Sequence, residues 1–129
     1  MTNHQPFPID PTVEQLDLFA LHSAPQLQYL DWASAELEYR RFLSLKKYYP
    51  NQLLIPPGAA WQLWQAHILD TRRYRSDCDS LFNRFIDHHP YLGHDSAADR
   101  RERYFSEQLY QGLYARHYPV LAGALALSD

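Results

Sequence analysis

The segment of residues 72–87 constrains the fold most, because it has the clearest helical pattern in the chain. Its large and apolar side chains recur at intervals of three and four residues, on one side of a helix: Tyr74, Cys78, Leu81, Phe82, Phe85 and Ile86. The opposite side carries the charged residues Arg75, Asp79, Arg84 and Asp87. A helix with one apolar side buries it against other elements, so the pattern predicts a helix packed in a core.

Four further segments have helical signals, and none alternates as a strand would. A short helix is predicted over residues 10–20, with Asp10 or Thr12 as its cap, and a long one over about 30–49, with a stripe at Trp32, Ala35, Tyr39, Phe42, Leu45 and Tyr49. A third is predicted from Gly58 to about 70, and a last one from a Ser96 cap to about 117. Alternatively, the third and fourth helices form one continuous, bent helix. The sequence therefore predicts an all-α fold, a compact bundle of four to five helices in a single domain over residues 1–129.

The two ends of the chain differ from this helical middle. Residues 1–9 contain two prolines and are predicted to form an extended N-terminal arm. Residues 119–129 form an apolar C-terminal tail, in which Val120, Leu121, Leu125 and Leu127 are predicted to cover a groove on this subunit or on a partner.

The aromatic content indicates a globular protein with a core rich in rings. The 129 residues include ten Tyr, six Phe and three Trp, more than a disordered chain carries. The helical stripes predict that six residues form the core: Trp61, Trp64, Leu81, Phe82, Phe85 and Phe105.

Charge and cysteine content limit the classes of function. The formal net charge of −3 offers no general attraction to nucleic acid, so no such partner is expected. Three basic clusters, at 40–41 with 46–47, at 72–75 and at 100–103, have acidic neighbours and are predicted to be solvated helix faces, with an anion-binding groove as the alternative. A lone cysteine and the lack of a long apolar run predict a soluble cytoplasmic protein that does not span a membrane.

The polar side chains between positions 64 and 93 form the candidate site. His67 and Asp70 are three positions apart on one helical face, so they are predicted as a catalytic acid–base pair or a metal pair. Asp70 is expected to accept hydrogen bonds from the His67 ring, from a nearby arginine or from the first amides of the next helix. Four neighbours are predicted as binding residues: Trp64, Tyr74, Cys78 and Tyr91.

A second polar cluster follows the fourth helix. His88, His89 and His94 are predicted metal ligands, with a divalent metal as the cofactor they would suit. A helix of this length separates them from His67 by about 24 Å if helices three and four are antiparallel. Satisfied core or capping histidines are the alternative interpretation of each imidazole.

Several segments resemble the glycine-rich-domain-containing-protein-like family, in the stretches Tyr39-Arg40-Arg41-Phe42-Leu43-x-Leu45, Ile55-Pro56, Trp64-x-x-His67-Ile68-Leu69-Asp70-Thr71-x-x-Tyr74-x-x-Asp77-Cys78 and Phe85-x-x-His88-His89-Pro90-Tyr91-x-Gly93. The resemblance covers about residues 39–118. It implies no activity, because the family has none to transfer. The family commonly has histidine directly after the tryptophan, where this chain has Gln65, a poor ligand for zinc-type metals.

These features predict the function of the protein only in broad terms. We expect a small helical accessory or protein-interaction module with a His/Asp/Cys cluster, which binds a protein partner or associates with itself. The alternative is a metal-dependent or acid–base enzyme that uses His67, Asp70, His88 and His89.

Overall fold

The computed structural model describes residues 8–87 and 93–119, which form five α-helices, two short 3₁₀ segments and no strand. The α-helices are α1 (Pro11–Glu14), α2 (Trp32–Tyr48), α3 (Gly58–Leu69), α4 (Thr71–Phe82) and α5 (Ala97–His117). The 3₁₀ segments, Phe19–Ser23 and Pro25–Leu27, join α1 to α2. The predicted all-α bundle of four to five helices is therefore confirmed. Most of the predicted N-terminal arm and nearly all of the tail lie outside the described residues.

The core lies where α2, α3 and α4 meet. The predicted stripe of α2 is buried at four positions: Ala35, Tyr39, Phe42 and Leu45. The facing helices add Leu63, Trp64 and His67 from α3, and Tyr74, Cys78 and Leu81 from α4. Large rings supply much of this buried surface, and burial of such surface is the dominant favourable term in folding.

The start of the bundle is fixed by Asp10. Its carboxylate caps α1 by accepting hydrogen bonds from the amides of Thr12, at 3.0 Å, and Val13, at 3.3 Å. The same oxygen accepts from Lys47 Nζ at 2.9 Å, which ties α1 to the end of α2. Although partial burial opposes ionisation, these donors lower the pKa of Asp10. The predicted cap is thus present, but α1 ends at Glu14, short of the predicted residue 20.

Helices α3 and α4 are separate, and α4 ends earlier than its pattern predicts. Asn83 follows Phe82 in the left-handed conformation, with φ of 56°, which asparagine tolerates at a helix end. The chain therefore leaves the helix before Phe85, whose exposed fraction is 46%. Phe85 and Phe105, at 66% exposure, were wrongly predicted as core residues. Of the other four, Trp64 and Leu81 are buried, whereas Trp61 and Phe82 are partly buried: the core prediction is confirmed for two.

Helix α5 lies on the outside of this core. Ser96 caps it by accepting from the amide of Asp99 at 3.1 Å, as predicted. Over its 21 residues only Ser106 and Tyr110 are buried. Tyr114 connects it to α2, because its hydroxyl accepts from Arg41 Nη1 at 2.6 Å. Within the described ranges, no helix is long and apolar enough to cross a membrane.

Candidate functional site

His67 is the centre of a buried polar chain that links three helices. Its side chain on α3 is 1% exposed. Its Nδ1 lies 2.6 Å from the hydroxyl of Tyr39 on α2, and its Nε2 lies 2.8 Å from Oδ2 of Asp77 on α4. The Asp77 side chain is 19% exposed, so the chain of contacts runs from the protein surface into the core.

The hydrogen-bond partners fix the tautomer of His67. An ionised carboxylate only accepts hydrogen bonds, so the Nε2 proton is donated to Asp77. Nδ1 then accepts from the Tyr39 hydroxyl. Burial raises the pKa of Tyr39 well above its usual range, as do the neighbouring Tyr74, Cys78 and Asp77. Tyr39 therefore keeps its proton, and both ring nitrogens of His67 have a hydrogen-bond partner.

A second set of contacts surrounds the hydrogen bonds of His67, and three of the predicted binding residues take part in it. Trp64 Nε1 donates to the Tyr74 hydroxyl at 3.0 Å, and that hydroxyl donates to the Ile86 carbonyl at 2.6 Å. The Tyr74 ring stands perpendicular to His67, with centroids 4.9 Å apart. Burial raises the pKa of Cys78, which remains a thiol. Trp64, Tyr74 and Cys78 are all buried, so they support His67 from inside the fold.

The carboxylate beside His67 belongs to Asp77 and not to Asp70. Asp70 lies at the corner between α3 and α4, where its side chain accepts from Arg73 Nε at 3.1 Å. Its predicted arginine contact is therefore confirmed, while the expected bonds to the His67 ring and to the first amides of α4 are not formed. Asp77 shares the buried stripe of α4 with Tyr74 and Cys78, and a carboxylate in that stripe was the signal that could have identified it.

Only one of the three predicted metal ligands falls within the described residues. His88, His89 and Tyr91 lie outside the described residues, and His94 is exposed. Within residues 8–87 and 93–119, no three side chains of His, Cys, Asp or Glu are placed to hold a metal ion. Both His67 nitrogens already have protein partners, so a metal there would have to displace Tyr39 or Asp77.

Several residues of the basic clusters are engaged within the fold. Arg40 donates to the carbonyls of Val13 and Leu16 and pairs with Glu36. Four further cluster residues have partners: Lys46 donates to the Gln52 carbonyl, and ion pairs join Lys47 to Asp10, Arg73 to Asp70 and Arg103 to Glu107. These contacts support the interpretation that the clusters belong to the fold and its helix faces.

The outer face of α5 is a second candidate site, and it is different in character. We define it by the exposed residues that share the side of the helix turned away from the core: Ala98, Arg101, Glu102, Phe105, Gln108, Leu109, Gly112 and Arg116. Phe105 and Leu109 are 66% and 37% exposed. Beside them, a groove of about 450 Å³ separates this face from Leu53. The face combines exposed apolar surface with charges at both ends.

Comparison with known proteins identifies no relative. No family model, no curated protein and no solved structure matches the chain. The resemblance to the glycine-rich-domain-containing-protein-like family therefore stays a prediction from the residues alone.

Proposed function

We propose that this protein is a small helical interaction module that binds a second copy of itself through the outer face of α5. The observation that carries the proposal is Gly112, an exposed glycine in the interior of α5 beside the exposed side chains of that face. An interior glycine destabilises a helix by about 1 kcal/mol relative to alanine.

The protein's own fold gives no reason for this glycine. A Cβ added at Gly112 would meet no atom within 4 Å, so no neighbouring element of the described chain requires the missing side chain. A helix from another molecule would explain it, because a glycine lets two helix backbones approach closely. Phe105 and Leu109, about two turns and one turn before Gly112, would be removed from water by the partner.

The charges of the outer face favour a second copy in an antiparallel arrangement. A two-fold axis that passes beside Leu109 places this residue opposite its copy in the partner. The same axis brings Glu102, in the first half of α5, close to the partner's Arg116, in the last turn. Opposite charges then meet on both sides of the axis, and the helix dipoles are antiparallel.

Sedimentation equilibrium across a concentration series tests the proposal. The parent protein is expected to show a monomer–dimer equilibrium, and Phe105→Glu is expected to be monomeric because it buries a charge without a partner. Phe19→Glu is the matched control, since Phe19 is 76% exposed and lies away from α5. It should leave the equilibrium unchanged. A parent protein that stays monomeric at every concentration would overturn the proposal.

Gly112→Ala separates an interface from a simple surface position. If Gly112 permits close approach, the added methyl group weakens dimerisation while it stabilises the isolated helix by about 1 kcal/mol. Opposite changes in dimer affinity and in monomer stability therefore support the proposal. Higher stability with unchanged dimer affinity would contradict it.

The setting that we propose for this module is the cytoplasm. Cys78 is the lone cysteine and is buried at 2% exposure, so it forms no disulfide within the chain. A protein without disulfides suits a reducing compartment.

A second candidate function is proton transfer, favoured by the unbroken Tyr39–His67–Asp77 chain. Four cavities of the described part of the protein are lined by other residues, and Asp77 is more exposed than His67, so a substrate would have to reach Asp77 at the surface. Hydrogen exchange of the His67 Nε2 proton tests this candidate. Slow exchange, together with purified protein that contains no metal, would rule out both catalysis and metal dependence.

A further inference from the structure

A groove on the outer side of α4 is a candidate ligand site. Its volume is about 460 Å³, and six exposed residues line it: Arg72, Arg75, Ser76, Asp79, Arg84 and Phe85. The four residues from α4 fall within about 100° of one another around the helix axis, on the side opposite the buried stripe. The chain turns at Asn83, which has the left-handed conformation, and Arg84 then lines the same groove as the arginines of α4.

The groove has an excess of positive charge. Its lining has three guanidinium groups and one carboxylate, and among the described residues none of these three arginines forms an ion pair. Arg75 and Asp79 are four residues apart, a spacing at which opposite charges on a helix commonly pair. The Arg75 guanidinium lies instead 5.8 Å from the centroid of the Phe85 ring. The positive charge of the groove is therefore available to a ligand.

A neighbouring cavity does not remove this excess. Its volume is about 290 Å³, and it shares Arg84 and Phe85 with the groove. The charged residues that it adds are Lys46 and Asp87, one of each sign. Burial lowers the pKa of Lys46, and the charge of Arg84 lowers it further, so this lysine does not compensate Arg84. The two cavities together remain positive.

We propose that the groove on α4 binds a small organic phosphate that carries a ring. A phosphate monoester has a charge of about −1.5 to −2 at neutral pH, which is close to the excess in the groove. The N–H groups of a guanidinium form a fork that matches phosphate oxygens. Phe85 is 46% exposed, and its ring provides apolar surface against which the ring of the ligand packs.

The charge of the whole chain favours a small phosphate over a long polyanion. The formal net charge of −3 opposes the approach of a polyanion. A small ligand responds mainly to the charges close to it, because the screening length is about 8 Å at physiological ionic strength. The inference is independent of dimerisation, since the groove shares no residue with the outer face of α5.

Calorimetric titration with phenyl phosphate, inorganic phosphate and benzoate tests this proposal. Phenyl phosphate is expected to bind more tightly than inorganic phosphate, by about two- to tenfold, because only phenyl phosphate has a ring to pack against Phe85. It should also bind more tightly than benzoate, which has the ring but a single charge. A single-stranded oligonucleotide is expected to bind less tightly than phenyl phosphate.

Arg72→Gln should lower the affinity for phenyl phosphate about tenfold, because it removes one charged donor. Its melting temperature should not change, since Arg72 is exposed. Arg100→Gln is the matched control, because it removes the same charge from an exposed position outside the groove, and it should leave the affinity unchanged.

Four outcomes would overturn the proposal. They are the lack of saturable binding of phenyl phosphate, equal or tighter binding of benzoate, equal or tighter binding of the oligonucleotide, and equal losses of affinity in Arg72→Gln and Arg100→Gln.

Discussion

The junction of α2, α3 and α4 differs from the region around α5 in how polar groups are paired and how far apolar side chains are buried. At the junction, Tyr39, His67 and Asp77 are buried or nearly so, and each hydrogen bond has a defined partner. Around α5, the buried hydroxyl of Tyr110 has no hydrogen-bond partner among the described residues, and large apolar side chains such as Phe105 are exposed. The polar groups of the first region are paired within the fold, whereas the second region exposes apolar surface that the described fold does not cover.

This difference indicates where function is located. A satisfied buried network costs free energy to disturb, so it is suited to holding helices in one arrangement. Exposed apolar surface gains free energy when a partner removes it from water. The His67 chain is therefore interpreted as the structural centre of the fold, and α5 as the element that meets other molecules.

The largest expected effect comes from removing a ring from each region. Phe42→Ala, at 1% exposure, should destabilise the protein by about 3–5 kcal/mol, since it leaves a cavity among packed rings. Phe105→Ala on the outer face of α5 should change the stability of the monomer by no more than about 0.5 kcal/mol. Chemical denaturation of both variants at low protein concentration measures the contrast. Similar losses would erase the distinction between the regions.

A smaller loss of stability is expected from breaking the hydrogen bonds that join Tyr39, His67 and Asp77. His67→Gln leaves buried groups on both sides without ideal partners and should cost about 1–3 kcal/mol. Asp77→Asn should cost less than this, because Asp77 is nearer to the surface. A double-mutant cycle between the two positions should give a clear coupling energy. If both variants lose activity or ligand binding but keep full stability, the network is functional and the comparison fails.

The smallest effect on stability at neutral pH comes from ionisation of the buried tyrosines, which changes the free energy of unfolding only at alkaline pH. The pKa of Tyr39 is raised above its ordinary value of 10.0, and that of Tyr118 is raised to about 12, in both cases first by burial. A raised pKa means that the unfolded state loses protons first, so stability is full below about pH 10 and declines above it. Thermal unfolding from pH 7 to pH 11 measures the decline. A constant melting temperature across that range would show that the tyrosines are accessible to solvent.

Much of the fold could be predicted from local patterns. The stripe of α2, the Ser96 cap and the limits of α2, α3 and α5 depend on neighbouring residues, and the structure has them close to the predicted positions, whereas α1 and α4 end earlier than predicted. The partner of His67 could not be predicted in the same way. Asp70 was the nearer carboxylate in sequence, but the turn between α3 and α4 directs it to Arg73 and brings Asp77 to the imidazole.

The sequence by itself determined the helical class and most of the helix limits, because periodicity and capping act over a few residues. Tertiary structure decided which polar groups meet and which large side chains remain outside. Phe105 has the same apolar character as Phe42, yet only Phe42 faces the other helices. Burial and hydrogen bonding depend on how helices are arranged around one another, and that arrangement is set by the packing of the whole chain.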